Sequence, residues 1–221
     1  MENKVYIVKC PDYAQAGEKL AELLALAGGM ERYVRTGERL LLKANLLAPA
    51  APEKAVSPRP AVVEAAARQV AAAGGRAVVA DCPGAYQHST GLLRRTYETC
   101  GMAEAAARSG AELSYDTSSR EVSYPQGRLM RHFEIMSPVL EADGVLNLCK
   151  MKTHMFMGMT GGVKNSFGVI PGLSKKGYHA KLQDKEQFAG MLLDLSDFVA
   201  PRLTIMDAVV GMEGEGPGAS G

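Results

Sequence analysis

Two kinds of apolar run alternate along the chain, separated by glycine, proline and polar turns. Short runs rich in β-branched and aromatic residues predict strands at Lys4 to Lys9, Arg39 to Lys43, Arg76 to Asp81, Glu112 to Tyr115, Phe133 to Met136, Val145 to Cys149 and Arg202 to Asp207. Longer runs with apolar positions three and four apart predict helices over Ala14 to Ala27, Ser57-Pro58 to Ala73, Leu92 to Ser109 and Lys185 to Val199, with a short one from Ser137-Pro138 to Ala142. Gly28-Gly29 and Gly74-Gly75 end the first two helices, Ser57 offers a hydroxyl to cap the second, and Pro125-Gln126-Gly127 marks a hairpin. Strand, helix, strand in this rhythm predicts an α/β fold: a mostly parallel sheet with helices on both faces, in three layers. Ligands of such sheets sit at the C-terminal strand ends, which directs attention to Lys43, Asn45, Asp81 and His88.

One stretch departs from the pattern. Between Asp143 and Asp184 there is no carboxylate, while Lys150, Lys152, Lys164, Lys175, Lys176 and Lys181 fall there with His154 and His179. The formal net charge of the whole chain is +1, so removing these six lysines leaves the remainder at −5. Six glycines from Gly158 to Gly177 let the backbone turn sharply and approach a ligand closely. A cationic, flexible segment of this kind suits a small anion.

Composition narrows the class. With 221 residues and 47% hydrophobic content the chain buries a real core, and it reads as a single α/β domain over residues 1–221. A near-zero net charge, with the carboxylate-free lysine cluster limited to one region, argues against nucleic-acid binding. The first residues carry no apolar signal core, and no run of 18 apolar residues occurs, so the expectation is a cytoplasmic protein without a membrane partner. Cys10, Cys82, Cys100 and Cys149 are widely separated and form no CxxC pair, so no iron-sulfur ligand set is written in this chain.

Candidate chemistry concentrates at Lys152-Thr153-His154, which follows a predicted strand. A lysine beside a histidine can hold an anion while the histidine exchanges a proton near neutral pH. Gly158 to Asn165 is not a nucleotide-triphosphate loop, because Val163 and Asn165 stand where the pattern needs glycine and a hydroxyl residue. A looser anion nest around Gly161-Gly162 and Lys164 stays open. The methionines Met151, Met155, Met157 and Met159 read as packing residues rather than copper ligands. His88, His154 and His179 lack metal-ligand spacing, Cys82 and Cys149 read as inert thiols, and Glu213 and Glu215 read as an exposed acidic loop.

Together these residues carry a resemblance. Lys43-Ala44-Asn45, Ser57-Pro58-Arg59-Pro60, Lys152-Thr153-His154, Lys164-Asn165 before Gly168, Lys175, His179, and Asp207 ahead of Gly211-Met212-Glu213-Gly214-Glu215-Gly216-Pro217 resemble, in order and spacing, the domain of unknown function 362 family. Cys82-Pro83-Gly84 departs from the more polar turn of that pattern. The resemblance implies that the chain is an N-terminal fragment continuing past its last glycines, and that an iron-sulfur domain or protein is a possible partner, with clusters possible in a C-terminal domain absent from this chain. It brings no settled reaction or cofactor. The expected site is therefore a cleft for a small carboxylate or phosphate. His154 and Lys152 are its catalytic candidates, and Lys43, Asn45, Lys164, Asn165, Lys175, His179 and Asp207 its substrate-binding ones. The alternative is a non-enzymatic electron-transfer or assembly module that docks an acidic partner through its lysines.

Overall fold

The computed structural model describes residues 4–83 and 89–218. Its centre is strand β1 (Arg39–Lys43), buried at four of its five positions. A strand covered on both faces must be apolar throughout, and the pleat sorts its leucines: Leu40 and Leu42 enter one core, Leu41 the other. β2 (Arg76–Ala80) pairs with β1 in parallel, from Arg39 opposite Arg76 to Lys43 opposite Ala80. β3 (Glu112–Leu113) extends that edge. On the other side β6 (Gly144–His154) runs parallel to β1, with Lys43 opposite Asn147. β6 also pairs with β8 (Leu203–Met212) in parallel and with the short antiparallel β7 (Gly158–Thr160). The result is a mostly parallel six-stranded sheet with helices on both faces, the α/β architecture expected from the alternation of elements.

On one face lie α1 (Ala16–Leu26) and α2 (Pro60–Ala72), which press Leu20, Leu24, Val63, Ala66 and Val70 onto the sheet. α3 (Thr90–Thr99) and α4 (Met102–Ser109) complete this layer. The opposite core takes Phe188, Met191, Leu192 and Leu195 of α8 (Lys185–Val199), whose first turn is capped by the Asp184 carboxylate accepting from the Glu186 and Gln187 amides. The hairpin of β4 (Ser119–Ser123) and β5 (His132–Met136), followed by α5 (Ser137–Leu140), packs into the same core.

Several boundaries differ from the expected ones, each for a physical reason. Lys4 to Lys9 has strand composition but no ladder partner, and Val5 and Ile7 are each 87% exposed, so no strand forms there. The expected single helix from Leu92 to Ser109 is two, because Gly101 takes φ +71° and turns the chain. Ser57 does not cap α2. Its hydroxyl donates to the Leu46 carbonyl, and the free Arg59 amide is taken instead by Asp207 Oδ2 at 2.9 Å. β8 continues past Asp207, where a loop was expected. From Lys150 to Lys152 β6 advances two residues while β8 advances five, from Asp207 to Met212. The amides freed by this bulge find Asp207 Oδ1 (Val209) and the Tyr13 hydroxyl (Val210). The carboxylate-free segment is likewise built rather than loose. β6 carries Lys150, Lys152 and His154 within the strand, and β7, α6 (Gly162–Ser166) and α7 (Gly172–Lys181) follow.

Candidate functional site

Three lysines stand at the C-terminal ends of the central strands with less than 3% exposure each: Lys43, Lys150 and Lys152. A buried ammonium is costly unless paired, and two of them are paired. Lys43 Nζ meets Asp81 Oδ1 at 2.6 Å and donates to the Ala44 carbonyl at 2.6 Å. Asp81 in turn accepts the Leu46 and Cys82 amides. Lys150 Nζ meets Asp207 Oδ2 at 2.8 Å, and the Tyr13 hydroxyl donates to Asp207 while accepting from Lys150. Asn165, 1% exposed, ties the strand ends together. Its Nδ2 donates to Asn147 Oδ1 at 2.6 Å and toward the Lys43 and Leu148 carbonyls, and its Oδ1 accepts from Asn45 Nδ2 at 2.7 Å.

Above this layer lies a cavity of about 310 Å³. Its wall includes Asn45, Asp81, Cys82, Lys152, His154, Thr160, Lys164, Phe167, Lys175, Lys176 and His179, with Pro217 brought in by the final segment. That segment is held where the Gly216 amide donates to Thr153 Oγ1 and its carbonyl accepts from the Met155 amide. Lys152 differs from its two neighbours on the strand ends. Nζ donates to the Val56 carbonyl at 2.6 Å, and among the described residues no carboxylate lies within ion-pairing distance of it, of Lys164 or of Lys175.

The electrostatics follow from that crowding. Burial, followed by the positive charges of Lys164, Lys43 and Lys150, pushes Lys152 down to about 7 despite Asp81 nearby. Lys164 falls to about 8 through burial and the neighbouring Lys175. Lys175 is also lowered, chiefly by burial, and it donates to the Cys82 carbonyl. Burial and the surrounding lysines push His154 down to about 4, so its ring is neutral at physiological pH. His154 Nδ1 accepts the Phe156 and Met157 amides at 3.2 Å each, which places the ring proton on Nε2. His179 stacks on Phe188 at 4.6 Å and meets the edge of Phe167 at 5.5 Å, so its ring plane is fixed by aromatic contacts. Burial raises the Cys82 thiol, which gives it no thiolate character at neutral pH.

The structure therefore brings His154, Lys152, Asn45, Lys164, Lys175 and His179 together around one space. It places Lys43 and Asn165 beneath that space, with their polar atoms engaged, and Asp207 in the pair with Lys150; none of these three lines the cavity. Thr160 and Leu47 line it without any sequence signal that marked them, and Pro217 lines it as the end of the glycine-rich motif that carries the resemblance. Thr160 is 3% exposed and its hydroxyl has no hydrogen-bond partner among the described residues. His88 lies outside the described residues. Among the described residues no group of three histidine, cysteine or acidic side chains converges to hold a metal.

The architecture and the placement of this cavity define an α/β protein with a ligand-sized space at the strand ends. The sequence profile of the domain of unknown function DUF362 matches residues 40–221, and the chain belongs to that family. It is 33% identical over 221 residues to the thylakoid-associated protein sll1697 of Synechocystis sp. (strain ATCC 27184 / PCC 6803 / Kazusa). That match takes in 98% of this chain, which spans 66% of the relative's length. Among solved structures, the lactate racemase apoprotein from Thermoanaerobacterium thermosaccharolyticum aligns with 89% of this chain and 49% of its own, with a TM-score of 0.53. At 12% identity that is a likeness of fold. No helix among the described residues is long and apolar enough to cross a membrane.

Proposed function

We propose that the chain is an enzyme, or the substrate-binding part of one, that takes a small carboxylate or phosphate into the cavity at its strand ends. The observation that carries this reading is the inward convergence of Lys152, Lys164 and Lys175, none of them in an ion pair among the described residues, around a cavity whose carboxylate, Asp81, is already paired with Lys43. Cations held in a low-dielectric cavity without a partner are stabilised by an anion from outside. Lys164 and Lys175 are half-buried and open to the cavity, so they hold the anion. His154, neutral with its proton on Nε2, acts as a hydrogen-bond donor. Lys152, close to half-protonated at neutral pH, is the better acid or base. The name of the lactate racemase puts a small carboxylate on a protein of this fold.

The docking alternative would rest on the exposed Lys176 and Lys181 of the same segment, whereas Lys152, Lys164 and Lys175 line the cavity. Redox chemistry through a separate iron-sulfur partner belongs to the family resemblance alone. The name of the Synechocystis relative ties that protein to thylakoids, so the comparison lends no weight to a cytoplasmic location for this chain. A thermal-shift screen of carboxylates and phosphates tests the reading. Ligands that bind only the folded chain raise its melting temperature, and the rise is lost in Lys164→Gln and Lys175→Gln. A screen in which no anion moves the melting temperature of the cooperative wild-type transition counts against it.

A further inference from the structure

The three buried strand-end lysines are not equivalent. Lys43 has Asp81 and Lys150 has Asp207, whereas among the described residues Lys152 has a carbonyl, that of Val56, and no ion-pair partner, and it is the one of the three that lines the cavity. A lysine enclosed among other cations and without an ion-pair partner of its own gives up its proton more readily than a free lysine, and the neutral amine is the nucleophilic form. Facing the same space are a histidine whose Nε2 carries the proton and a buried Thr160 hydroxyl with no partner among the described residues. An amine, two unengaged proton donors and two anion-holding lysines around one cavity is more than the binding of an anion requires. It is the set needed to capture a carbonyl attached to an anion.

We propose that Lys152 forms an imine with a small anionic oxo compound, a 2-oxo acid being the simplest, whose carboxylate is held by Lys164 and Lys175. This rests on the anion-binding reading above and adds the reacting group. The Lys152 nitrogen lone pair attacks the carbonyl carbon, a carbon–nitrogen bond forms, and the carbonyl oxygen takes a proton with help from His154 Nε2–H or the Thr160 hydroxyl. The resulting carbinolamine then loses its oxygen as water, both hydrogens coming from the amine overall, and leaves a carbon–nitrogen double bond. No oxidant or reductant is consumed. Protonated on nitrogen from the surrounding donors or water, the imine becomes an iminium that withdraws electrons from the adjacent carbon, which is the use a protein makes of such a lysine.

The test is reductive trapping. The chain is incubated with pyruvate and cyanoborohydride, and its intact mass and peptide map are measured, with lactate, which lacks the carbonyl, as control. The expected result is one adduct per chain, with the mass of pyruvic acid less one oxygen, mapped to Lys152. It should be suppressed by excess lactate and absent from Lys152→Arg, which keeps the charge but cannot form an imine. Because mapping and competition use the wild-type chain, a variant that fails to fold leaves the test intact. Calorimetric binding of pyruvate without an adduct overturns the imine and leaves the anion site standing. An adduct spread over the exposed Lys176 and Lys181 overturns it as well. Absence of binding of pyruvate, lactate and inorganic phosphate by calorimetry removes the anion site and the imine together, and absence of pyruvate binding alone overturns the imine.

Discussion

Lys43 and Asp81 meet at 2.6 Å at the ends of two neighbouring parallel strands, and Gly168 closes over them so tightly that an added Cβ would collide with both side chains. The pair is the floor of the cavity. Lys43→Met leaves Asp81 buried without its cation and is expected to cost about 3 to 5 kcal/mol in urea unfolding. Lys43→Met combined with Asp81→Leu should recover part of that loss. Only part returns, because the Leu46 and Cys82 amides then lose their acceptor.

Gly168→Ala should destabilise the chain by about 1 to 3 kcal/mol, since Lys43 and Asp81 have nowhere to retreat. Gly177, inside α7 with open space around it, is the contrast. Gly177→Ala is expected to stabilise by roughly 0.5 to 1 kcal/mol through helix propensity. Equal effects at the two positions in denaturant unfolding would show that the floor is loosely packed.

The core strands were legible because a strand covered on both faces must be apolar: Arg39 to Lys43 and Arg76 to Ala80 admit few other readings. The N-terminal run from Lys4 to Lys9 has the same local character, but strand formation needs a neighbour, and no periodicity reports one. Lys150, Lys152, Lys164 and Lys175 were visible in a window without carboxylates, and Lys43 as the end of a predicted strand. Which of them face the cavity was not, since that depends on partners distant in sequence: Asp81 for Lys43 and Asp207 for Lys150. Thr160 reaches the wall through a three-residue strand that leaves no local pattern, and Pro217 belongs to a motif legible in the sequence whose return to the cavity was not.

Stability should depend on pH in two windows. Lys152 titrates near 7 in the folded chain against an ordinary 10.5, so between those values the unfolded chain holds the extra proton. Stability therefore rises with pH across that window, and the penalty of the buried ammonium is full below it. Lys150 and Lys164 act in the same sense, so the contribution of Lys152 is read as the difference from Lys152→Met, whose rise between about pH 7 and about pH 10 should be smaller by roughly 1 to 3 kcal/mol. His154, lowered from 6.5 to about 4, works at the acid end. Stability falls as pH falls through that window, and His154→Gln should flatten the decline in urea titrations.

Tyr13→Phe removes the hydroxyl that bridges Asp207, Lys150 and the Val210 amide. The expected loss is about 1 to 2 kcal/mol of stability. Anion affinity should stay within roughly twofold of wild type, because this bridge lies in the ion pair of Lys150 rather than in the cavity wall. A large drop in affinity by calorimetry would place Asp207 and Lys150 in the binding machinery.

The most direct measurement is isothermal titration of small carboxylates and inorganic phosphate into the wild-type chain and into Lys164→Gln, Lys175→Gln and their double variant, at neutral pH. Lysines that hold the anion should each contribute a charge-assisted hydrogen bond, so each single variant is expected to weaken Kd by roughly tenfold or more, and the double variant to abolish binding while still melting cooperatively. Wild-type affinity for every anion unchanged in the double variant would contradict a lysine-held anion site in this cavity.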